Sequence, residues 1–235
     1  MATFGGFPQS VTYQTVNVAQ GGSGENLLIN PRGTLNQAGE ADGVLAAGRY
    51  FRDGWKAGDN GAEVYVDPDG FRLVSGSIVQ VIENTLETGR TLRANMDTLY
   101  GTPQLSLGGN GDTYVVANSE HIRLEISGDN SKFTRCMVAE GVALPTYSER
   151  ARADDLQRCK RYFIRFEGRL HNYVGNNGSA QFFDLPLSPE LAKAPAVSYG
   201  SHPGLEGISA DTRYVHLHNA NGSIYVDSLT LDARL

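Results

Sequence analysis

From residue 26 to residue 235 the chain is dominated by short runs in which apolar and polar residues alternate. Alternation with a period of two sends successive side chains to opposite faces of a strand, so these runs predict β-strands. Clusters of Gly, Asn, Asp and Pro between the runs predict tight turns. The clearest case is a hairpin whose strands, at residues 63–66 and 71–74, flank an Asp-Pro-Asp-Gly turn. Many short strands with such turns are typical of a β-sandwich or jelly roll.

One segment has helical character, from residue 148 to about residue 166. Ser148 can cap its first turn, and Leu156, Cys159 and Phe163 fall on or near one face. After Tyr162 the pattern alternates again, so we expect the helix to give way to a strand there. The rest of the chain has the strand pattern.

These patterns predict a mainly β protein with three parts. Residues 1–25 form an attachment arm that ends in a Gly-rich linker. Residues 26–147 form a jelly-roll β-sandwich, and residues 148–235 form a connecting helix and a second, smaller β-sandwich-like unit. An arm ahead of a compact body would attach the protein to something else; a frayed terminus is the alternative.

Composition and charge narrow the classes of partner. Hydrophobic residues make up 40% of the chain, as in a globular protein, and the net charge of −6 argues against nucleic acid as a partner. Basic residues between positions 150 and 169 alternate with acids, which predicts an ion-paired helix face. No apolar run approaches the roughly 18 residues of a membrane span, so we expect no membrane insertion. The first residues lack the features of a secretory signal, so we expect the protein to stay where it is made or to leave by another route.

The sequence shows no motif for catalysis, a metal or a cofactor, and we predict none of the three. Cys136 and Cys159 are expected to be reduced thiols. His216 and His218 share one face of a predicted strand, where a polar face is favoured over a metal pair. The Asp- and Asn-rich segments are expected to be plain turns and not calcium loops. Paired carboxylates of a glycosidase meet only in the folded protein, so a glycan-degrading enzyme stays an alternative.

The aromatic residues are the best candidates for binding. Trp55, Tyr65, Tyr100 and Tyr173 lie beside Gly- or Asn-rich turns, where β-sandwiches carry binding residues. Aromatic rings stack on the polarised C–H faces of sugars, so we list these four residues as carbohydrate-binding candidates. Core packing is the alternative, and we favour it for Trp55; for Tyr100 and Tyr173 we favour exposure.

Five segments resemble bacteriophage virion fibre and spike proteins of the tail-fibre or head-fibre type, and two of them, residues 183–186 and 194–197, are similar to the second β unit of those proteins. The first of the other three is residues 26–37, in which apolar residues precede Asn-Pro and the segment closes on Asn-Gln. The second is residues 50–55, Tyr-Phe-Arg-Asp-Gly-Trp, and the third is the Leu-x-x-Cys-x-Arg-Tyr-Phe pattern of residues 156–163. The family often has Arg before the Trp, whereas this chain has Gly54, so a binding role is not carried over to that position.

The resemblance implies a jelly roll like a carbohydrate-binding module, displayed on the virion surface toward host glycans and assembled in the host cytoplasm. It implies a homo-oligomer, with a trimer favoured and a pentamer possible, that joins other virion proteins through residues 1–25. It implies no catalytic residue. A purely structural capsid-decorating or tail protein is the alternative.

Overall fold

The computed structural model describes residues 24–172, 181–201, 205–219 and 224–235. Within these ranges the protein is mainly β, with one short helix, and the predicted fold class is confirmed. The predicted attachment arm lies outside the described residues as far as residue 23, and so does Tyr173. None of the described helices is long and apolar enough to cross a membrane.

The first unit is a nine-stranded antiparallel arrangement. Its strands are β1 (Gly43–Leu45), β2 (Tyr50–Arg52), β3 (Trp55–Asp67), β4 (Gly70–Glu83), β5 (Thr91–Tyr100), β6 (Gln104–Leu107), β7 (Thr113–Val115), β8 (His121–Ser127) and β9 (Ser131–Glu140). The main path runs β1-β3-β4-β9-β5-β7, while β2 pairs with β3 and β6 pairs with β8. The first part of β4 pairs with β9 and the second part with β8, so β4 takes part in both layers of a sandwich-like fold.

The predicted hairpin is present, but its second strand is longer than expected. The strand predicted at residues 71–74 is the first part of a longer one, since β4 is continuous from Gly70 to Glu83. The chain continues because Gly76 adopts φ of 81° and lies against the backbone of Gly61, where a side chain would not fit. Gly76 therefore allows the strand to bend between the layers without ending it.

Alternation along the strands fills the core of the first unit. Phe51, Trp55, Phe71 and Phe133 are fully buried and pack as neighbouring rings. The Trp55 and Phe71 ring centroids are 5.1 Å apart, and those of Phe71 and Phe133 are 5.6 Å apart. Burial of each such side chain contributes on the order of 1.5–3 kcal/mol. Trp55 is thus a core residue, the interpretation favoured for it from the sequence.

The helix is shorter than predicted: α1 spans Arg152–Lys160, and its N-cap is Ala151, not Ser148. The preceding residues are held instead by contacts with the first unit, since Arg150 donates to the carbonyl oxygen of Asn26 at 2.9 Å and Glu149 pairs with Arg32 at 2.7 Å. At its other end the helix yields to a strand at Phe163, as predicted, because residues 163–165 pair with residues 230–232.

The second unit follows the helix and has its own hydrophobic core. Its described strands are β10 (Phe163–Arg165), β11 (Arg169–Asn172), β12 (Gln181–Pro186), β13 (Ala196–Ser198), β14 (Gly207–Ala210), β15 (Tyr214–Asn219), β16 (Ile224–Asp227) and β17 (Thr230–Asp232). They form the antiparallel groups β10-β17-β13, β11-β16 and β12-β15-β14. Buried residues between Ile164 and Ala233 form this core, whereas those of the first core lie between Leu28 and Val138.

Residues 26–37, 50–55 and 156–163 meet where the helix packs against the first unit. Ile29 and Leu35 pack with Cys159 in a small buried cluster. Gln37 donates to the Asp53 carboxylate at 2.9 Å and to the carbonyl oxygen of Phe163 at 3.1 Å. These side chains make packing contacts and hydrogen bonds within the chain, so the three segments have a structural role.

Candidate functional site

Tyr65 and Tyr100, two of the predicted binding residues, lie in one row across the large sheet. Tyr65 on β3 is opposite Arg72 on β4, Arg72 is opposite Lys132 on β9, and Lys132 is opposite Tyr100 on β5. Directly opposite residues on antiparallel strands present their side chains on the same face. Strands are about 4.8 Å apart, so the two tyrosine backbones are separated by roughly 14 Å. We call these four residues the tyrosine row.

The tyrosine row lies on the outer face of the sheet because the neighbouring positions point inward. Leu73 and Phe133, each one residue from a row member, are fully buried in the core. Tyr100 is 48% exposed, while Tyr65, Arg72 and Lys132 are partly exposed. The strand period of two therefore supplies both the core and the candidate site.

Two carboxylates from the hairpin turn hold the basic centre of the row. Asp67 accepts from Arg72 at 3.1 Å and pairs with Lys132 at 2.9 Å, and Lys132 also pairs with Asp69 at 2.6 Å. Hydrogen bonds from Lys132 and Arg72 hold the pKa of Asp67 below its usual range. The bonds to Asp69 and Asp67 raise the pKa of Lys132, so the Lys132 ammonium and the Asp67 carboxylate are both charged at neutral pH.

Tyr65 is fixed at both ends of its side chain. The Arg72 guanidinium carbon lies 4.3 Å from the centre of the ring, a cation–π contact. The hydroxyl donates to the Glu63 carboxylate at 3.1 Å, and this hydrogen bond raises the pKa of Tyr65. The ring is therefore held in place beside charged groups. Because it is already ordered, it loses little conformational entropy when a ligand binds.

A groove of about 300 Å³ continues the same face beyond Glu63. The residues that line it include Val44, Glu63, Ser75, Gly61 and Gly76. Val44 is opposite Glu63 in the sheet and is 83% exposed. Neither glycine position admits a side chain, because a Cβ there would meet backbone atoms at 2.6 Å or less.

This face combines the groups that a saccharide needs. Ring faces bind the C–H surfaces of a sugar, and carboxylate, hydroxyl and guanidinium groups exchange hydrogen bonds with its hydroxyls. The charges in the row neutralise one another through Asp67 and Asp69, so an uncharged ligand meets no large field.

The structure separates the four predicted binding residues. Tyr65 and Tyr100 share the row, and the predicted exposure of Tyr100 is confirmed. Trp55 is fully buried and donates its indole N–H to the carbonyl oxygen of Asn30 at 2.8 Å, so it does not reach this face. Tyr173 lies outside the described residues.

Arg72, Lys132 and Glu63 were missed by sequence reasoning. Arg72 has a readable signal, since the tight turn at 67–70 places it opposite Tyr65. Lys132 has none, because its neighbour Arg72 lies 60 residues away in the chain and the pairing of β4 with β9 is a tertiary choice.

A larger cavity lies between the helix region and the first unit, away from the row. It holds about 410 Å³ and is lined by Asn26, Met137, Glu149, Arg150 and Arg158 among others. Its basic side chains are bound to the chain itself: both Arg150 and Arg158 donate to the carbonyl oxygen of Asn26. This engagement makes the cavity a weaker candidate than the row, despite its size.

Both cysteines are buried in the described parts of the chain, and His216 is paired with carboxylates. Cys136 and Cys159 are free and buried, and burial raises the pKa of both thiols, which keeps them neutral. No group of three or more His, Cys, Asp or Glu is arranged to hold a metal within residues 24–172, 181–201, 205–219 and 224–235. At His216 the two ring nitrogens face different carboxylates, Asp184 and Asp211, which do not converge on one point.

Comparison with known proteins identifies no relative of this chain. No family model, no curated protein and no solved structure matches the chain.

Proposed function

We propose that the chain is a subunit of a bacteriophage virion fibre or spike, and that it binds host cell-surface polysaccharide through the tyrosine row. The observation that carries the binding role is the row itself: Tyr65 and Tyr100 lie on one outer face on either side of Arg72 and Lys132. The virion role is supported by the resemblance of the motif segments alone.

In the proposed mode, a polysaccharide chain lies across the strands. One sugar stacks on the exposed ring of Tyr100, and another lies beside Tyr65 and the groove that begins at Glu63. The separation of about 14 Å between the tyrosine backbones matches a short oligosaccharide and exceeds a single sugar ring. The row recognises the ligand without a chemical step, so the proposed activity is attachment.

The test is binding of host envelope polysaccharide and of a panel of oligosaccharides, measured by calorimetry. Each stacked ring contributes about 1 kcal/mol, so Tyr65→Ala and Tyr100→Ala should each weaken binding by roughly fivefold to tenfold. Tyr199→Ala is the matched control, since Tyr199 is an exposed tyrosine in the second unit. Unchanged binding in the double variant would overturn the proposed site.

The same samples test the alternatives. Release of reducing ends from the polysaccharide would make the protein a glycan-degrading enzyme. A chain that binds no envelope fraction but assembles on virion proteins would be a purely structural component. We further propose a homotrimer, with a pentamer as the alternative; light scattering of the full chain should give three times 25.4 kDa.

A further inference from the structure

A second exposed face, on the second unit, has the same combination of aromatic and carboxylate groups. In the group β12-β15-β14, Phe182 is opposite His218 and Asp184 is opposite His216. Gly207 and Ser209 on β14 are opposite the same two histidines. These six residues therefore share one face, and we call it the Phe182 face.

Phe182 is the most exposed aromatic residue of this face. It is 76% exposed, and its ring stacks on the His218 imidazole with a centroid distance of 4.6 Å and an interplanar angle of 26°. The free face of an exposed aromatic ring can stack on the C–H face of a ligand. The stacking fixes the ring in one orientation, so its exposed surface is a preformed platform.

Three carboxylates lie beside the two histidines of this face. Asp184 pairs with the Nδ1 atom of His216 at 2.8 Å, and Asp211 lies 3.5 Å from the Nε2 atom of the same ring. Glu206 lies 3.6 Å from the Nδ1 atom of His218. Three carboxylates thus accompany two imidazoles, so this part of the surface accepts hydrogen bonds and carries a negative potential at neutral pH.

On the far side of His218 from Phe182, the described residues leave open space over β14. At Gly207, opposite His218, an added side chain would meet no atom within 4 Å, so the surface over β14 has room for a ligand. Tyr214, 40% exposed, lies at the other end of the face, with its ring centroid 6.1 Å from that of His216.

We propose that the Phe182 face is a second saccharide-binding site, specific for neutral or amino sugars. The ring binds the C–H face of one sugar, while Asp184, Asp211 and Glu206 accept hydrogen bonds from its hydroxyl or ammonium groups. The carboxylates repel uronic and sialic acids, which separates this site from the charge-balanced tyrosine row. Two sites on one chain raise avidity for a polysaccharide that spans them.

The ligand class rests on the proposed function, but the site is tested independently of it. The experiment measures binding of neutral-hexose, glucosamine and uronic acid oligosaccharides to the full chain by calorimetry. The Tyr65→Ala/Tyr100→Ala background isolates the second site. There we expect residual binding of the neutral and amino oligosaccharides, and at least a tenfold further loss on Phe182→Ala. Tyr199→Ala, in the same unit, should have no effect.

Asp184→Asn keeps the shape of the site and removes one charge, so it should bring the affinity for uronic acid oligosaccharides closer to that for neutral ones. If the double tyrosine variant binds nothing, the second site is overturned and the tyrosine row stands. If Phe182→Ala alone abolishes binding while the double tyrosine variant does not, the second site stands and the first is wrong. If Phe182→Ala instead lowers the mass seen by light scattering and leaves saccharide binding unchanged, the face is an interface between copies, and the proposal is overturned.

Discussion

The side-chain amide of Gln37 donates to the Asp53 carboxylate at 2.9 Å, and the Gln37 backbone N–H donates to the other oxygen of that carboxylate at 2.8 Å. The same amide reaches the carbonyl oxygen of Phe163, at the start of the second unit. Asp53 is almost fully buried, and this burial raises its pKa. One carboxylate therefore anchors the segment after the Asn-Pro turn and the entry to the second unit.

We expect Asp53→Ala to destabilise the protein by about 2 kcal/mol, because the partly buried backbone and side-chain amides of Gln37 lose their acceptor. Urea denaturation followed by tryptophan fluorescence measures this, since the single tryptophan is two residues away. Asp59→Ala is the control: Asp59 is exposed and pairs with Arg123 on the surface, where such pairs contribute about 0–1 kcal/mol. Equal losses in the two variants would contradict the anchoring role.

Replacement of Trp55 separates a core role from a binding role. Trp55→Phe removes the N–H that bonds the carbonyl oxygen of Asn30 and leaves a void in the ring cluster, so we expect a loss of roughly 2 kcal/mol in stability. Saccharide affinity, measured under conditions in which the variant is fully folded, should be unchanged. A loss of saccharide affinity without a loss of stability would show that Trp55 contributes to binding.

Comparison of alanine substitutions at Gly76 and Gly89 tests whether β4 requires glycine at its bend. Both have positive φ, 81° and 89°, but a side chain at Gly76 would lie 2.4 Å from the carbonyl oxygen of Gly61, whereas Gly89 has open space. Gly89→Ala should cost about 1 kcal/mol for the backbone conformation alone. Gly76→Ala should cost more than 2 kcal/mol, since two strands must also move apart. Thermal unfolding of both variants gives the comparison, and similar losses would show that contact with Gly61 is unimportant.

The stability of the second unit should depend on the protonation of His216. The hydrogen bond to Asp184, with a smaller contribution from Asp211, raises the pKa of His216 above its ordinary 6.5. The folded state then binds more protons than the unfolded state around neutral pH, so the contribution is complete below pH 6.5 and is lost as pH rises through the folded pKa.

Midpoints of urea unfolding, measured from pH 5.5 to 8.5, report this dependence. In Asp184→Asn the fall with rising pH should be shallower than in the parent chain, because the principal partner of His216 is uncharged. The other histidines contribute equally to both curves and cancel in the difference. Parallel curves would show that the pair does not couple proton binding to folding.

The alternation of a strand depends only on neighbouring residues, so the sequence could predict it. Successive residues of a strand face opposite sides whatever their partner, so the hairpin around residues 67–70 and the inward Phe71 and Leu73 follow from alternation and turn chemistry. The change from helix to strand at Phe163 was readable for the same reason. The start of the helix was not, because Arg150 bonds to carbonyl oxygens more than 120 residues away, and these contacts decide where the helix begins.

The candidate sites divide in the same way. The sequence by itself determined that Tyr65 and Tyr100 stand beside turns, that His216 and His218 share a strand face, and that the fold is mainly β. Only the tertiary structure decided that β4 and β9 are neighbours, which places Arg72 and Lys132 between the tyrosines. It also placed Phe182 against His218 and buried Trp55. Pairing between distant strands depends on the sum of core packing over the whole unit, and no local pattern in the chain records that sum.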